Sequence, residues 1–360
     1  MNKYFDKIRD IFRVTGTDRI LIYNQYKDVT DKTFFYLAQP KSGVFENSWL
    51  IVSRDSAIML TSKLEETAAI ETGLEVMTYE NRENMFEIIQ KETKADKKIG
   101  LNFKALSTEI FLTIKNTLKG KDFINVSEDL LKIRMIKNSD EIKKISRACE
   151  ISAEALQEVT GEITEGITEM DLASRLACSM LNRGASTFFT GVAFGENTAV
   201  PHHHPSARRL RNNEFVLMDY GSMYEGYWSD ITRTFVYGKA SEKQTDIYNT
   251  VLKAQNIAFD SILEGAKGYD VHIKVRDFIN STEYSEKFIH GLGHGLGMNV
   301  HDHPAMGNNS EIVLKEGMVI TVEPGIYISG FGGVRIEDDI VVRKHGYDKI
   351  SHIDTALMEI

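Results

Sequence analysis

Phe215–Gly238 reads FVLMDYGSMYEGYWSDITRTFVYG. Two apolar, β-prone runs, Phe215–Met218 and Ile231–Tyr237, flank a Gly/Ser/Tyr-rich middle, the pattern of a β-hairpin with an acid on each arm. Folding about Tyr224–Glu225 sets Asp219 directly across from Asp230. Opposed residues have Cβ atoms about 4.5–5.5 Å apart, so two carboxylates there repel unless something cationic lies between them. A shared proton would serve, and so would one or two metal ions.

Outward from this hairpin, histidines gather in two clusters, 202–204 in AVPHHHPS and 290–303 in FIHGLGHGLGMNVHDHP. Glycines at 291, 293, 295 and 297 disfavour a helix, each costing roughly 1 kcal/mol relative to Ala. In an extended chain His290 and His294 share one face. The glycines then line the other, where a second backbone can approach closely. His272, His345 and His352 stand apart and are read as structural. Further on, Glu323 closes the strand-like MVITVE before Pro324-Gly325, and Glu337 lies in GGVRIEDD. A hairpin centred on Gly330 opposes these two acids as well, with a bulge expected from the odd loop. Alternation turns Asp338 away from Glu337, as a solvated or structural acid.

Two carboxylate pairs and a glycine-flanked histidine form a hard, mixed O/N donor set. It suits Mn(II), Co(II), Fe(II) or Zn(II) and is poor for Cu(I) or an iron–sulfur cluster. Four carboxylates buried together need matching positive charge. Two metal ions about 3.5–4 Å apart, bridged by carboxylates, would supply it.

The 360 residues, 42% hydrophobic and 26% charged, describe a soluble protein with room for two domains. With 43 basic against 52 acidic residues the net charge is -9, and no Lys/Arg cluster suggests nucleic acid as a partner. MNKYFDKIRDIFRV spaces Tyr4, Phe5, Ile8, Ile11 and Phe12 as an amphipathic helix, not a signal peptide. No run of 18 apolar residues suggests a membrane span. Cys149 and Cys178 lack a CxxC partner and read as buried small hydrophobes of a reducing cytoplasm.

Residues 1–130 alternate strands (Arg19–Tyr23, Trp49–Val52, Ala57–Leu60, Glu75–Tyr79, Lys98–Asn102, Phe123–Val126) with amphipathic helices, an α/β domain without histidine or a phosphate loop. Residues 131–360 form the second domain. Asn138 and Glu141 mark its first helix, Thr168 and Asp171 a second, and a long helix runs from about Ser241 to Leu263.

PHHHPS, the Asp219/Asp230 hairpin ending SDITRTF, GLGHGLGMNVHDHP, TVEPG and GGVRIED together resemble the pita-bread metallopeptidases, in particular the Xaa-Pro dipeptidase (prolidase) and aminopeptidase P group. The resemblance runs from about residue 130 to the end. It implies an α+β protein: a C-terminal pita-bread (creatinase/aminopeptidase-like) catalytic domain preceded by a smaller α/β creatinase-like domain. It further implies two divalent metal ions, Asp219 on one, His294 and Glu323 on the other, Asp230 and Glu337 bridging both. Glu323 would shuttle a proton, and His202, His290, His301 and Arg335 would face a proline-containing peptide. For Arg335 an ion pair with a neighbouring acid is an equal alternative. Asp302 stands where many relatives have Glu. A homodimer is implied by the family alone. Creatinase shares the fold but lacks these ligands, methionine aminopeptidases usually lack the preceding α/β domain, and some members of the fold are metal-free binding proteins.

Overall fold

Strands β1 (Arg19–Asn24) and β2 (Ser48–Val52) are buried almost throughout, which marks the centre of a sheet covered on both faces. The structure is a computed structural model that describes residues 3–25 and 30–360. The chain divides into two units, Met1–Arg134 and Met135–Ile360.

In the first unit, β3 (Ala57–Ser62), β4 (Glu75–Tyr79), β5 (Lys98–Leu101) and β6 (Asp122–Asn125) complete a sheet ordered β4-β3-β2-β1-β5-β6. All six strands read from the sequence are present. Only β1–β2 and β2–β3 are antiparallel; the other pairs are parallel. Tyr23 stacks on Trp49 within the core, ring centroids 4.2 Å apart. The expected N-terminal helix is instead two short ones, Lys3–Asp6 and Arg9–Thr15, because i→i+3 bonds at Ile8 and Ile11 tighten the backbone between them. Tyr4, Phe5, Ile8, Ile11 and Phe12 are buried as the spacing requires; Met1 and Asn2 lie outside the described residues.

The second unit lays down one plan twice. Helices Ser139–Thr160 and Glu169–Asn182, both opened by capping boxes, pack on a sheet ordered β10-β8-β7. Its strands are β7 (Ser186–Phe194), β8 (Glu214–Tyr224) and β10 (Ile231–Tyr237), with β9 (Tyr227–Trp228) paired to β8. Helices Glu242–Phe259 and Gly268–Asn280 pack over a second sheet, ordered β12-β11-β13-β16-β17. Here β11 is Gly293–Gly295, β12 Asp302–Met306, β13 Val319–Val322, β16 Asp338–Arg343 and β17 Gly346–Lys349, while β14 (Gly325–Ile328) and β15 (Gly332–Arg335) form a separate ribbon. The Ser241 helix ends at Phe259, short of Leu263, because Glu264 and Gly265 turn to bond Arg343 and Leu314. Gly268–Asn280 begins without a side-chain cap, so no start signal announces it. Cys149 is buried, but Cys178 is exposed on its helix, contrary to the sequence reading.

The first hairpin differs from its expected register. Tyr224 faces Tyr227, and the two-residue loop is Glu225-Gly226, with φ of 46° and 82°. Two positive φ angles define the tight turn that matches strand twist, and glycine meets its second position without strain. Asp219 therefore faces Thr232, and Asp230 lies two residues away, diagonally on the same face. The second hairpin keeps its expected register, Gly325 facing Arg335 and Val322 facing Asp338, but the expected bulge is absent because the odd loop residue is taken up within the three-residue turn 329–331. Glu323 and Glu337 fall opposite each other at the gap between the two ladders.

β11 lies close to both neighbours because its flanking residues are glycines. A Cβ on Gly293 would strike the Thr321 carbonyl, and one on Gly295 the His303 carbonyl. These are backbone atoms and cannot swing aside. Gly293→Ala or Gly295→Ala is therefore expected to lower unfolding stability by about 1–3 kcal/mol. Gly161→Ala, where a Cβ would meet only Glu158 O at 3.6 Å, should stay within about 0.5 kcal/mol. Urea midpoints of the three variants check this, and equal midpoints would contradict the packing argument.

Candidate metal centre

The two halves of the second unit meet where β10 runs beside residues 335–339. Glu337 N donates to Thr232 O (3.1 Å), Asp230 N donates to Asp339 Oδ2 (2.9 Å), and Thr234 Oγ1 donates to Arg335 O (3.0 Å). Three of the four acids sit at interruptions of regular pairing, whereas Asp219 lies within β8, paired to Thr232 and Gly191. Asp230 falls between β9 and β10, and Glu323 and Glu337 between the ribbon and the second sheet, Glu323 N turning to Leu292 O at 2.8 Å. Such breaks free side chains to aim into one cavity of about 680 Å³. Every residue singled out from the sequence as a site residue lines it: Asp219, Asp230, His294, Glu323 and Glu337, with His202, His290, His301 and Arg335.

Asp230, His294 and Glu337 each offer a donor atom, all within 4.8 Å of one another. His294 Nε2 lies 3.5 Å from Asp230 Oδ2 and 3.5 Å from Glu323 Oε1. Its Nδ1 faces Gly295 O at 3.1 Å, a contact that, with Nδ1 protonated, directs Nε2 at the carboxylates. Glu337 accepts from Thr232 Oγ1 at 2.7 Å through Oε2, while its buried Oε1 has no hydrogen-bond partner among the described residues. An unpartnered buried carboxylate oxygen beside two more donors is what a divalent cation would satisfy. Asp219 stands outside that trio. Arg335 Nη2 holds its Oδ2 at 2.6 Å, Arg335 Nη1 donates to Tyr327 Oη (2.9 Å), and Arg335 Nε donates to Thr232 Oγ1 (3.0 Å). Of the two readings of Arg335, the ion pair with a neighbouring acid is present.

The charges are out of balance. Burial pushes Asp219 up to about 6 against the pull of Arg335, and Glu323 up to about 7 against that of His294. Burial and the charges of Asp230, Glu323 and Asp219 push Glu337 well up. For His294 burial opposes the charged form, but the Asp230 hydrogen bond and the Glu323 charge outweigh it and raise the imidazole to about 9. Burial and Arg335 bring His290 down to about 4, so it is neutral near pH 7. Its two ring nitrogens face Gly291 O (2.8 Å) and Tyr327 Oη (2.9 Å). His202 and His301 are exposed at the cavity wall, the His301 ring 4.2 Å from that of His294.

Several contributors escaped the sequence reading. Thr232 and Asp339 each lie two residues beyond a singled-out acid, so strand alternation pointed to them; Tyr327 follows Gly325 by the same interval. Asp338 is structural but not solvated: it is fully buried and held by Arg233 at 2.6 Å and Lys349 at 2.9 Å. His272 is buried with Nε2 3.1 Å from Asn308 Oδ1, whereas His345 and His352 are exposed.

Residues 143–344 match the model of metallopeptidase family M24, and residues 5–136 that of the creatinase/prolidase N-terminal domain. The chain is 36% identical to the Xaa-Pro dipeptidase of Pyrococcus furiosus, covering 99% of this chain and 100% of that one. Among solved structures, an Xaa-Pro dipeptidase from Bacillus anthracis is similar at a TM-score of 0.93 and 32% identity, covering 99% of each chain. An X-Pro aminopeptidase from Thermotoga maritima is similar at a TM-score of 0.90 and 30% identity, covering 97% of this chain and 99% of that one. Fold and site together define a metal-dependent peptidase whose chain runs from a creatinase-type N-terminal domain into a pita-bread catalytic domain. The chain belongs to metallopeptidase family M24.

An acid whose pKa is higher folded than unfolded binds extra protons when folded, so its contribution to stability is lost as pH rises through the folded value. For Glu323 that window runs from 4.5 to about 7. In protein freed of metal by chelation, Glu323→Gln should therefore gain stability relative to wild type across this window, by at most about 1.4 kcal/mol per pH unit. Thermal melts of the pair at pH 5 and pH 7 test this; a gap that does not widen would show that Glu323 carries no raised pKa.

Proposed function

We propose that this chain is an Xaa-Pro dipeptidase, hydrolysing the peptide bond that precedes proline with the help of divalent metal. One observation carries the reading: Asp230, His294 and Glu337 converge, with Glu323 3.5 Å from His294, on the wall of a cavity whose volume of about 680 Å³ suits a dipeptide. Full-length similarity to Xaa-Pro dipeptidases supports the choice of bond.

In this reading Asp219, Asp230, His294, Glu323 and Glu337 would hold the divalent ions. The donor set favours Mn(II) or Co(II) and is compatible with Fe(II) or Zn(II). When bound, such ions supply an activated water and polarise a peptide carbonyl. Arg335 keeps Asp219 oriented, and Thr232 relays that order by accepting from Arg335 and donating to Glu337. His301 and His202, exposed at the wall, donate hydrogen bonds to the substrate carbonyl as charge develops there. His290 serves by its position more than as a donor, since both its nitrogens already face partners. A Glu323 carboxyl oxygen takes up a proton and passes it to the leaving proline nitrogen.

Aminopeptidase P activity on longer peptides is the second reading, favoured by the similarity to the X-Pro aminopeptidase. The proposal also has the protein as a homodimer in a reducing cytoplasm. Both cysteines are free, and no helix among the described residues is long and apolar enough to cross a membrane.

With Mn(II) or Co(II) added, wild type should hydrolyse an Xaa-Pro dipeptide at least about tenfold better, in kcat/KM, than an Xaa-Pro-Xaa tripeptide, roughly 1.4 kcal/mol of discrimination. Asp230→Asn should lower kcat/KM by at least about 10²-fold together with metal content, since even residues that only orient ligands cost up to that much. Preference for the tripeptide would favour the aminopeptidase reading. Absence of both metal and turnover in wild type would remove the enzyme reading altogether.

A further inference from the structure

The AVPHHHPS segment presents three histidines, of which only His202 lines the cavity. His203 turns the other way, its Nε2 2.9 Å from Oε2 of Glu169, the first residue of the helix Glu169–Asn182. Glu169 is 0% exposed and does not line the cavity. Its Oε1 accepts from Phe194 N at 2.8 Å and Asn197 Nδ2 at 2.8 Å. Its Oε2 accepts from Ser206 N at 3.0 Å and Ser206 Oγ at 2.6 Å.

All these partners belong to residues 194–206, the excursion that leaves β7 and carries Val200, Pro201 and His202 past the cavity. None belongs to the helix that Glu169 begins. Thr168 and Asp171 already cap that helix, so helix formation does not explain the buried carboxylate. The backbone repeats the attachment: Glu169 N donates to Arg208 O (3.1 Å) and Met170 N to Ser206 O (3.1 Å). Both ends of the excursion are thus tied to one helix start, whose dipole favours an anion there. Hydrogen bonds from Ser206, Asn197 and His203 hold the Glu169 carboxyl below its ordinary pKa although burial acts against them, so the anion is the form the site is built for.

We propose that Glu169 is a positioning residue of the peptidase reaction, fixing residues 195–206 and acting on substrate only through His202. This rests on the reading of the cavity as the peptide site. Displacement of a substrate-facing group by about 1 Å can cost on the order of 10²-fold in rate.

The metal-loaded enzyme is assayed on an Xaa-Pro dipeptide as wild type, Glu169→Gln, His202→Ala and the double variant, with metal content measured for each. Glu169→Gln should lower kcat/KM by about 10²-fold with metal content unchanged. In the His202→Ala background the same change should cost no more than about 2-fold, because residues that act as a unit are not additive. An equal loss in both backgrounds would overturn the proposal in favour of general destabilisation. Amide exchange supplies a readout independent of turnover: peptides within 195–206 should exchange at least about tenfold faster in Glu169→Gln, while residues 215–235 keep their wild-type rates. Unchanged exchange in 195–206 would overturn the proposal even with an active enzyme. Accelerated exchange beside a wild type that cleaves no Xaa-Pro peptide would instead discard the substrate reading and keep the anchoring. Should Glu169→Gln fail to fold, Ser206→Ala, which deletes one hydroxyl donor to the same carboxylate, gives the same pair of readouts at smaller amplitude.

Discussion

Four carboxylates crowded into one cavity with too little positive charge set the terms for the rest of the catalytic unit. Two unit charges 4 Å apart repel by about 4 kcal/mol at an effective dielectric of 20, comparable to the net stability of many domains. Arg335 answers for Asp219, and His294 leans toward Asp230 and Glu323. Among the described residues Glu337 has a hydroxyl on one oxygen and no hydrogen-bond partner on the other. Protons can cover the deficit, which is why Asp219, Glu323 and Glu337 are pushed upward. Divalent ions cover it better, two charges at a time, and leave the carboxylates ionised.

Holding such a cluster together demands a frame that cannot relax away from it. Asp230, Glu323 and Glu337 stand where β pairing is interrupted, and backbone groups released at Asp230 and Glu337 find partners in the opposite half: Glu337 N on Thr232 O, Asp230 N on Asp339 Oδ2. Repulsion between side chains is thereby opposed by backbone bonds that cross the seam between the two sheets. The glycines around His294 serve the same end, letting β11 lie close to both neighbours so that the one residue with a side chain faces the acids. Burial of Thr232, Thr234 and Arg335 extends the frame without adding negative charge.

Much of this was legible in the sequence because it rests on local rules. Alternation put His290 and His294 on a common side, capping boxes marked the helices after Asn138 and Thr168, and the Gly330 turn set the register that opposes Glu323 to Glu337. The first hairpin turns one residue beyond the symmetric centre at Tyr224–Glu225, which shifts its register by two, because a tight turn needs positive φ at both central residues and Gly226 supplies the second without strain. A two-residue slip preserves faces, so Asp219 and Asp230 still share one side of the sheet. The helix Gly268–Asn280 lacks any cap signal, and the hold of Arg335 on Asp219 joins residues 116 positions apart, which no local pattern reports. Glu169 hid for another reason: as the first residue after an N-cap it reads as an ordinary acid in a first turn.

Three buried acids of this unit show how charge balance separates structural from functional carboxylates. Asp338 meets Arg233 and Lys349, with Gln255 and Ser351 adding neutral donors, so its charge is answered in place and ties β16 to its surroundings. Glu169 makes no ion pair with a lysine or arginine among the described residues, yet its oxygens are filled by five contacts from a single segment; its energy goes into ordering that segment. Glu337 has neither a direct cation nor a full set of donors. A chain would gain by replacing such a residue with an apolar one of similar size unless a ligand restored the balance. Its place beside Asp230 and His294, with one oxygen unanswered, is therefore where a divalent cation would restore the balance, by the same electrostatic reasoning that makes Asp338 an anchor.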